Sequence, residues 1–238
     1  MGCPVSRVVL ITGGATGIGL ACAQRFLDLG DKVAITYRSS APPPQFFGVQ
    51  CDVTSSADVD AAFTAVENHF GPVEVLISNA GIAKDTLLLR MSETDFADVV
   101  DTNLTAAFRI TKRATKNMIK ARKGRVIYVS SVVALLGSAG QANYAASKSG
   151  LVGLARSLAR ELGTRNITVN VVAPGPVSTA MTAALSPERI TELCSAVPLG
   201  RMADPEEIAG VVVFLASADA SYITGAILPV DGGLGMGH

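Results

Sequence analysis

Tyr144 and Lys148 stand four residues apart in the run Gly140-Gln-Ala-Asn-Tyr-Ala-Ala-Ser-Lys-Ser-Gly-Leu151, which reads as the start of a helix. Helical spacing of four puts both side chains on one face, within reach of each other. A phenol beside an ammonium is a proton donor for neutral pH. The free phenol titrates near about 10, and a neighbouring cation favours the phenolate and so lowers that value. The same pair also occurs on solvated helix faces, where it does no chemistry. The rest of the chain decides between the two.

A second group of residues points to a ligand. Thr12-Gly13-Gly14-Ala15-Thr16-Gly17-Ile18-Gly19 follows directly on the first apolar, β-branched run of the chain. Glycine permits a tight turn and close approach of backbone to ligand, and the N–H groups and dipole of the following helix favour a pyrophosphate. The spacing is Gly-x-x-x-Gly-x-Gly rather than the familiar G-x-G-x-x-G. The second strand ends at Tyr37-Arg38 without an acid. An acid there would bind a ribose 2′-hydroxyl, whereas an arginine accommodates a 2′-phosphate. Arg38 therefore favours NADP(H) over NAD(H), the alternative being a solvated surface arginine.

These groups need a scaffold, and the chain supplies a repeating one. Strand patterns at Arg7–Thr12, Lys32–Tyr37, Phe47–Gln50, Val73–Ser78, Arg125–Ser130, Ile167–Ala173 and Ala226–Val230 alternate with helical ones. The helical patterns run from the glycine turn to about Gly30, over Ser56–Phe70 with a Ser cap, and over roughly Ser92 to Ala121. They continue over Tyr144–Leu162, around Pro187–Ala196, and from about Pro205 to Ala216. Strand–helix–strand order implies right-handed crossovers and a mainly parallel, seven-stranded α/β sheet of doubly wound, Rossmann type with helices on both faces. No linker or change in composition divides the 238 residues, so one domain is expected.

Bulk composition narrows the functional classes. Hydrophobic residues make up 49%, there is no Trp, and 20 basic residues balance 20 acidic ones without a long like-charge block. That composition suits strands buried on both faces and gives no electrostatic reason to expect nucleic acid or an anionic membrane as partner. Cys3, Cys22, Cys51 and Cys194 are scattered without metal-ligand spacing, and His69 and His238 are too far apart to suggest a metal site. The N-terminus lacks the pattern of a signal peptide, and apolar stretches such as Val211–Ala216 are too short for a bilayer. A reduced, cytoplasmic location is the expectation.

With these motifs in order, the chain resembles the classical short-chain dehydrogenase/reductase family over nearly its full length. The residues carrying the resemblance are Thr12–Gly19, Cys51-Asp52-Val53, Asn79-Ala80-Gly81, Asn103, Ser131, Tyr144-x-x-x-Lys148 and Pro174-Gly175. Within the family it is most similar to the 3-oxoacyl-[acyl-carrier-protein] reductases, on Gly137–Leu151, Asn170–Gly175 and the ending from Tyr222 to Gly233. Its Gly-Met-Gly-His terminus is similar to that of actinobacterial members.

The resemblance implies a catalytic tetrad of Asn103, Ser131, Tyr144 and Lys148. Tyr144 would donate a proton to the developing oxyanion and Ser131 would hydrogen-bond the same oxygen. Lys148 would act on the phenol and bind the nicotinamide ribose, and Asn103 would hold a water linking Lys148 to solvent. Gly13, Gly14, Thr16, Gly17, Ile18 and Gly19 would cradle the pyrophosphate. Asp52 and Val53 would meet adenine, Asn79, Ala80 and Gly81 would border the adenosine ribose, and Pro174, Gly175, Val177 and Thr179 would lie at the carboxamide and phosphate side. The cofactor-binding part would span about residues 1–130, and the catalytic and lid part about 131–238. Cys51 reads as an inert buried thiol.

The implied reaction is NADPH-dependent reduction of 3-oxoacyl-[acyl-carrier-protein] in fatty-acid synthesis. Arg122 and Arg165, the positions that dock the carrier in these reductases, are expected near the active-site mouth, and a homotetramer is expected through the two long helices and the C-terminal strand region. Two departures bear on specificity. Many of these reductases have Arg where this chain has Thr16, which weakens the 2′-phosphate site, and acids often stand where it has Ser178 and Ala180, in the substrate lid. The same fold acting on another ketone or alcohol (a sugar, polyol, steroid or acetoacetyl-CoA) is the alternative, and a cofactor-binding regulator without turnover is a third reading.

Overall fold

The computed structural model describes residues 6–183 and 186–236, with the side chain of residue 181 excepted. Cys3, His238 and the last glycine before it lie outside the described residues, as do two positions of the expected lid, 184 and 185. The elements in chain order are β1 (Val8–Thr12), α1 (Gly17–Asp28), β2 (Lys32–Tyr37), β3 (Phe47–Gln50), α2 (Ser56–Phe70), β4 (Val75–Ser78), α3 (Glu93–Val100), α4 (Ala106–Ala121), β5 (Gly124–Val129) and α5 (Val133–Leu136). They continue with α6 (Ala142–Leu162), β6 (Ile167–Pro174), α7 (Ala180–Ala183), α8 (Pro187–Ala196), α9 (Pro205–Ala216) and β7 (Ile227–Val230).

All seven strands form one parallel sheet in the order β3-β2-β1-β4-β5-β6-β7. A parallel sheet needs a crossover between each pair of strands, and the helices that make the crossovers cover both faces. Side chains alternate between faces along each strand, so each face has its own core. Leu10, Leu76, Val126, Tyr128, Val169 and Val171 pack with Phe63, Ile110, Met118 and Leu151 from α2, α4 and α6. Val9, Ile11, Ile35, Ile77, Ile127 and Val172 pack with Phe26, Ile208, Val212 and Leu215 from α1 and α9. The expected doubly wound α/β architecture is therefore present.

Local chemistry explains the helix ends. Ser55 Oγ accepts from the Asp58 N–H at 3.2 Å, so the α2 cap lies one residue before the expected serine. Ser92 caps α3 in the same way at 3.0 Å, and Asp204 with Glu207 forms a reciprocal capping box at α9, where Pro205 sits at the first helical position.

The long helix expected from Ser92 to Ala121 is interrupted. Between α3 and α4 the chain makes a π-turn over Asp101–Thr105, and the Ala106 N–H reaches back to the Asp101 carbonyl. A π-turn inserts one residue into the helical ladder and rotates the side chains beyond it. Asn103 lies inside that turn and is buried.

Where β1 and β4 lie side by side, their onward connections diverge, β1 toward β2 and β4 toward β5. Crevices at such points, outside the carboxyl ends of the strands, are where open α/β sheets take ligands.

Candidate active site

A cavity of about 950 Å³ opens along the carboxyl ends of the strands. One end is formed by Thr16, Arg38 and Asp52, and the other by Ser131, Tyr144 and Lys148, with Gly13, Gly17 and Gly81 between. Most of the motifs that carried chemistry in the sequence, scattered from residue 13 to residue 179, thus converge on one site, Asn103 being the exception.

The glycine turn lies between β1 and α1. Gly13 and Gly17 have φ of +62° and +53°, the left-handed region where a side chain is strained. A Cβ on Gly13 would come 3.0 Å from Ala80 Cα, and one on Gly17 would come 3.3 Å from Thr179 Cγ2. Thr16 makes no side-chain cap bond at the start of α1, and no acid sits in that helix's first turn. The uncapped N–H groups of a twelve-residue helix therefore face an uncrowded cradle suited to a pyrophosphate.

Gly14 and Gly19 work beneath the cavity and not in its lining. A Cβ on Gly14 would strike Ile35 Cγ2 at 2.7 Å, and one on Gly19 would meet Asn79 Nδ2 and the Gly13 carbonyl at 2.6 Å. Their role is close packing of turn on sheet and helix. Asn79 locks the same corner: its Nδ2 donates to the Thr12 and Gly13 carbonyls at 3.1 and 3.0 Å, and its N–H donates to Thr12 Oγ1 at 3.0 Å.

At the opening between β2 and β3, Arg38 and Thr16 are exposed on the cavity wall. Asp52 faces them from the turn after β3. Its carboxylate accepts from the Thr54 hydroxyl at 2.7 Å and N–H at 2.9 Å, and these bonds, aided by Arg38 and Arg109, hold its pKa below the ordinary value. Val53 completes this end. Cys51 also lines it, but burial and the nearby Asp58 and Asp52 push its thiol up to about 11, so it stays protonated and unreactive near neutral pH.

At the other end α6 presents Tyr144 and Lys148, and Ser131 follows β5 by two residues. The Ser131 hydroxyl accepts from the Val133 N–H at 3.2 Å, which orients it while leaving its proton free to donate. Pro174, Gly175, Val177 and Thr179 close this end from the segment after β6. Lys148 is buried, its Nζ donating to the Val129 carbonyl at 2.9 Å and standing 5.6 Å from the Tyr144 ring centroid. Burial pushes its pKa down to about 8.

The phenol runs against the sequence expectation. Burial raises the Tyr144 pKa, the Ser131 hydroxyl pulls it back and Asp85 adds to the rise. Desolvation acts on both members of the pair and favours their neutral forms. Spacing brought tyrosine and lysine together, but it could not show how deep the pair would be buried.

Asn103 does not line the cavity. Its Oδ1 accepts from the Ile82 N–H at 2.8 Å, while its Nδ2 donates to the Ile82 carbonyl and to Ser147 Oγ, each at 3.0 Å. Both Nδ2 protons are committed to protein partners, while Oδ1 keeps a second lone pair. The amide ties the segment after β4 to α6.

Arg122 and Arg165 do not stand at this mouth. Each lies two residues before a strand begins, Arg122 before β5 and Arg165 before β6, and Arg122 donates to the Thr164 carbonyl at 3.0 Å. The crossover helices run antiparallel to the strands, so their C-terminal ends lie at the amino edge of the sheet. That edge is a strand length, about 20 Å, from the cavity.

Other lining residues carried no motif: Ile82, Ala83 and Lys84 after β4, and Asp98, Asp101 and Thr102 around the π-turn. Only the pairing of β4 with β1 and β5 brings them here. Lys84 is anchored by Asp95 and Asp98, each at 2.8 Å.

Known proteins are similar to this chain over nearly its whole length. Residues 13–235 match the family model described as enoyl-(acyl carrier protein) reductase. The chain is 57% identical to a 3-oxoacyl-[acyl-carrier-protein] reductase, MabA, of Mycobacterium tuberculosis, over 98% of this chain and 95% of that protein. It is 45% identical to the reductase of the same description, FabG, of Vibrio cholerae, and 42% identical to that of Escherichia coli, each over 97% of this chain and 98% of the relative.

Proposed function

This chain belongs to the short-chain dehydrogenase/reductase family, and from that premise we propose that it reduces 3-oxoacyl-[acyl-carrier-protein] to 3-hydroxyacyl-[acyl-carrier-protein] in fatty-acid biosynthesis, with NADPH as reductant. The observation that carries this reading is the meeting of Ser131, Tyr144 and Lys148 at one end of a cavity whose other end presents Arg38. The family implies a nicotinamide cofactor, and the uncapped α1 turn with its glycine cradle fits one.

When bound, the cofactor supplies a hydride to the carbonyl carbon of the substrate. The carbonyl π electrons then pass to oxygen, and the Tyr144 hydroxyl transfers its proton there to complete the alcohol. Ser131 donates a hydrogen bond to the same oxygen, where charge develops. A phenol kept neutral by burial is in the right protonation state for reduction, and the Lys148 ammonium stabilises the phenolate left behind. Gly13, Thr16, Gly17 and Ile18 would hold the pyrophosphate, with Gly14 and Gly19 supporting the turn. Asn79, Ala80 and Gly81 would border the adenosine ribose, Asp52 and Val53 the adenine, and Pro174, Gly175, Val177 and Thr179 the nicotinamide side.

Arg38 supports NADPH over NADH because a guanidinium can pair with a 2′-phosphate. In this reading the part up to about residue 130 binds cofactor and the remainder supplies catalysis and the lid, in a cytoplasmic homotetramer. Among the described residues no helix is long and apolar enough to cross a membrane. If Arg122 and Arg165 dock an acidic carrier, they do so from the amino edge of the sheet, about 20 Å from this cavity.

The test is direct. Oxidation of NADPH or NADH is followed by its near-ultraviolet absorbance with acetoacetyl-CoA and with acetoacetyl-carrier protein. Turnover with the carrier substrate and faster use of NADPH are expected. Turnover of sugars, polyols or steroids but of neither thioester would sink the proposal.

A further inference from the structure

Residues 82–86 run past the first turn of α6 and are fastened to it in register. Asn103 grips both backbone groups of Ile82. Two residues on, Asn143 Nδ2 donates to the Lys84 carbonyl at 3.0 Å. Gln141 Nε2 then donates to Asp85 Oδ2 at 2.7 Å, and the Thr86 N–H donates to the Gly140 carbonyl at 2.8 Å. Ile82, Ala83 and Lys84 form one wall of the cavity, and Tyr144 faces it from α6.

Asn143 is unusual among these fastenings. It is 0% exposed, next in sequence to Tyr144, and inside a helix, where asparagine is a poor former. Its second polar atom is also used: Oδ1 accepts from the Tyr144 N–H at 2.7 Å. Gln141, at the cap position, makes no side-chain cap bond, so the orphan N–H of the first turn at Tyr144 is satisfied by Asn143 instead. On its far side the Tyr144 carbonyl accepts from Ser147 Oγ at 2.8 Å, and that hydroxyl is held by Asn103. Both backbone groups of the tyrosine are thus tied to side chains, and each tie leads on to the 82–84 wall.

We propose that Asn143 is a positioning residue for the proton donor, joining the Tyr144 backbone to the Lys84 carbonyl through one buried amide and so setting the distance between phenol and opposite wall. The proposal rests on the reading of Tyr144 as proton donor. An acyl substrate must fit between phenol and wall with its carbonyl oxygen within hydrogen-bond reach of the hydroxyl, and misplacement by about 1 Å costs on the order of a hundredfold in rate.

Two variants separate positioning from simple helix capping. Asn143→Asp keeps the acceptor that caps Tyr144 but loses the donor to Lys84; Asn143→Ala loses both. Steady-state reduction of acetoacetyl-CoA by NADPH, NADPH affinity by fluorescence, and thermal melting are measured on wild type and both variants. Positioning predicts a kcat about tenfold to a hundredfold lower in both variants, with KM and NADPH affinity within about threefold. Because Asn143→Asp buries a carboxyl group against a carbonyl, it is expected to melt below wild type, and rates are compared per folded protein. A kcat for Asn143→Asp within about twofold of wild type overturns the proposal, as does a loss of rate matched by lost cofactor affinity or lost folded protein. Wild-type protein that fails to reduce either thioester overturns the functional reading and this proposal together, a result distinct from active wild type with active variants.

Discussion

Lys148 Nζ donates to the Val129 carbonyl at 2.9 Å, so the ammonium is anchored to the end of β5 and stands over the face of the Tyr144 ring. The bond ties α6 to the central sheet, and it leaves the charge buried with one neutral partner. This carries a stability cost that depends on pH. From an ordinary 10.5 the lysine is brought down to about 8, a cost on the order of 3 kcal/mol. A folded-state value below the unfolded one means that the unfolded chain binds more protons between those limits. The cost is therefore present in full below about pH 8 and is relieved as pH rises toward 10.5. Urea unfolding of wild type and Lys148→Met across this range should show wild type gaining relative to the variant. A constant difference would show that the lysine is not shifted.

Replacing Tyr144 by Phe removes only the hydroxyl of a buried ring. Turnover should fall by about 10² to 10⁴, with NADPH affinity and melting temperature nearly unchanged. Isothermal titration with NADPH beside the rate assay checks this. Loss of binding together with rate would assign Tyr144 a structural role.

In the proposed reaction Ser131 supplies the second hydroxyl at the reacting oxygen. Ser131→Ala should lower kcat by about 10² to 10³ while leaving KM close to wild type. A large rise in KM with unchanged kcat would place the hydroxyl in ground-state binding instead.

In the proposed reading Thr16 and Arg38 decide between NADPH and NADH. Arg38→Ala should weaken NADPH about tenfold or more, the loss of one charge-assisted pair, and leave NADH untouched. Thr16→Arg adds a guanidinium on the same exposed wall and should tighten NADPH by a similar factor. Measuring kcat/KM for both cofactors checks the pair. Equal changes for NADH and NADPH would remove the 2′-phosphate from the argument.

Gly19→Ala should cost cofactor affinity although Gly19 lines no part of the cavity, because its Cβ would press on Asn79 Nδ2 and the Gly13 carbonyl at 2.6 Å. A loss of about tenfold in NADPH affinity and a lowered melting temperature are expected. Unchanged binding would mean that the turn yields without disturbing the cradle.

Much of this protein is legible along the chain, and for one reason. Strand runs, the glycine turn and the Tyr-x-x-x-Lys spacing are local patterns, set by steric limits and periodicity inside single elements. From them follow the seven-stranded α/β order, the place of the glycine turn and the pairing of Tyr144 with Lys148. What depends on packing between elements was decided by the tertiary structure. Burial raised the Tyr144 phenol where proximity to lysine alone implied a lowered one. The π-turn directed Asn103 into a grip on Ile82. The antiparallel run of helix against strand carried Arg122 and Arg165 to the far edge of the sheet. Asn143, silent in the sequence as the neighbour of a tyrosine, meets the Lys84 carbonyl only because the segment after β4 runs past the first turn of α6. Spacing fixes which side chains share a face, whereas desolvation and reach are set by what the other elements bring against that face.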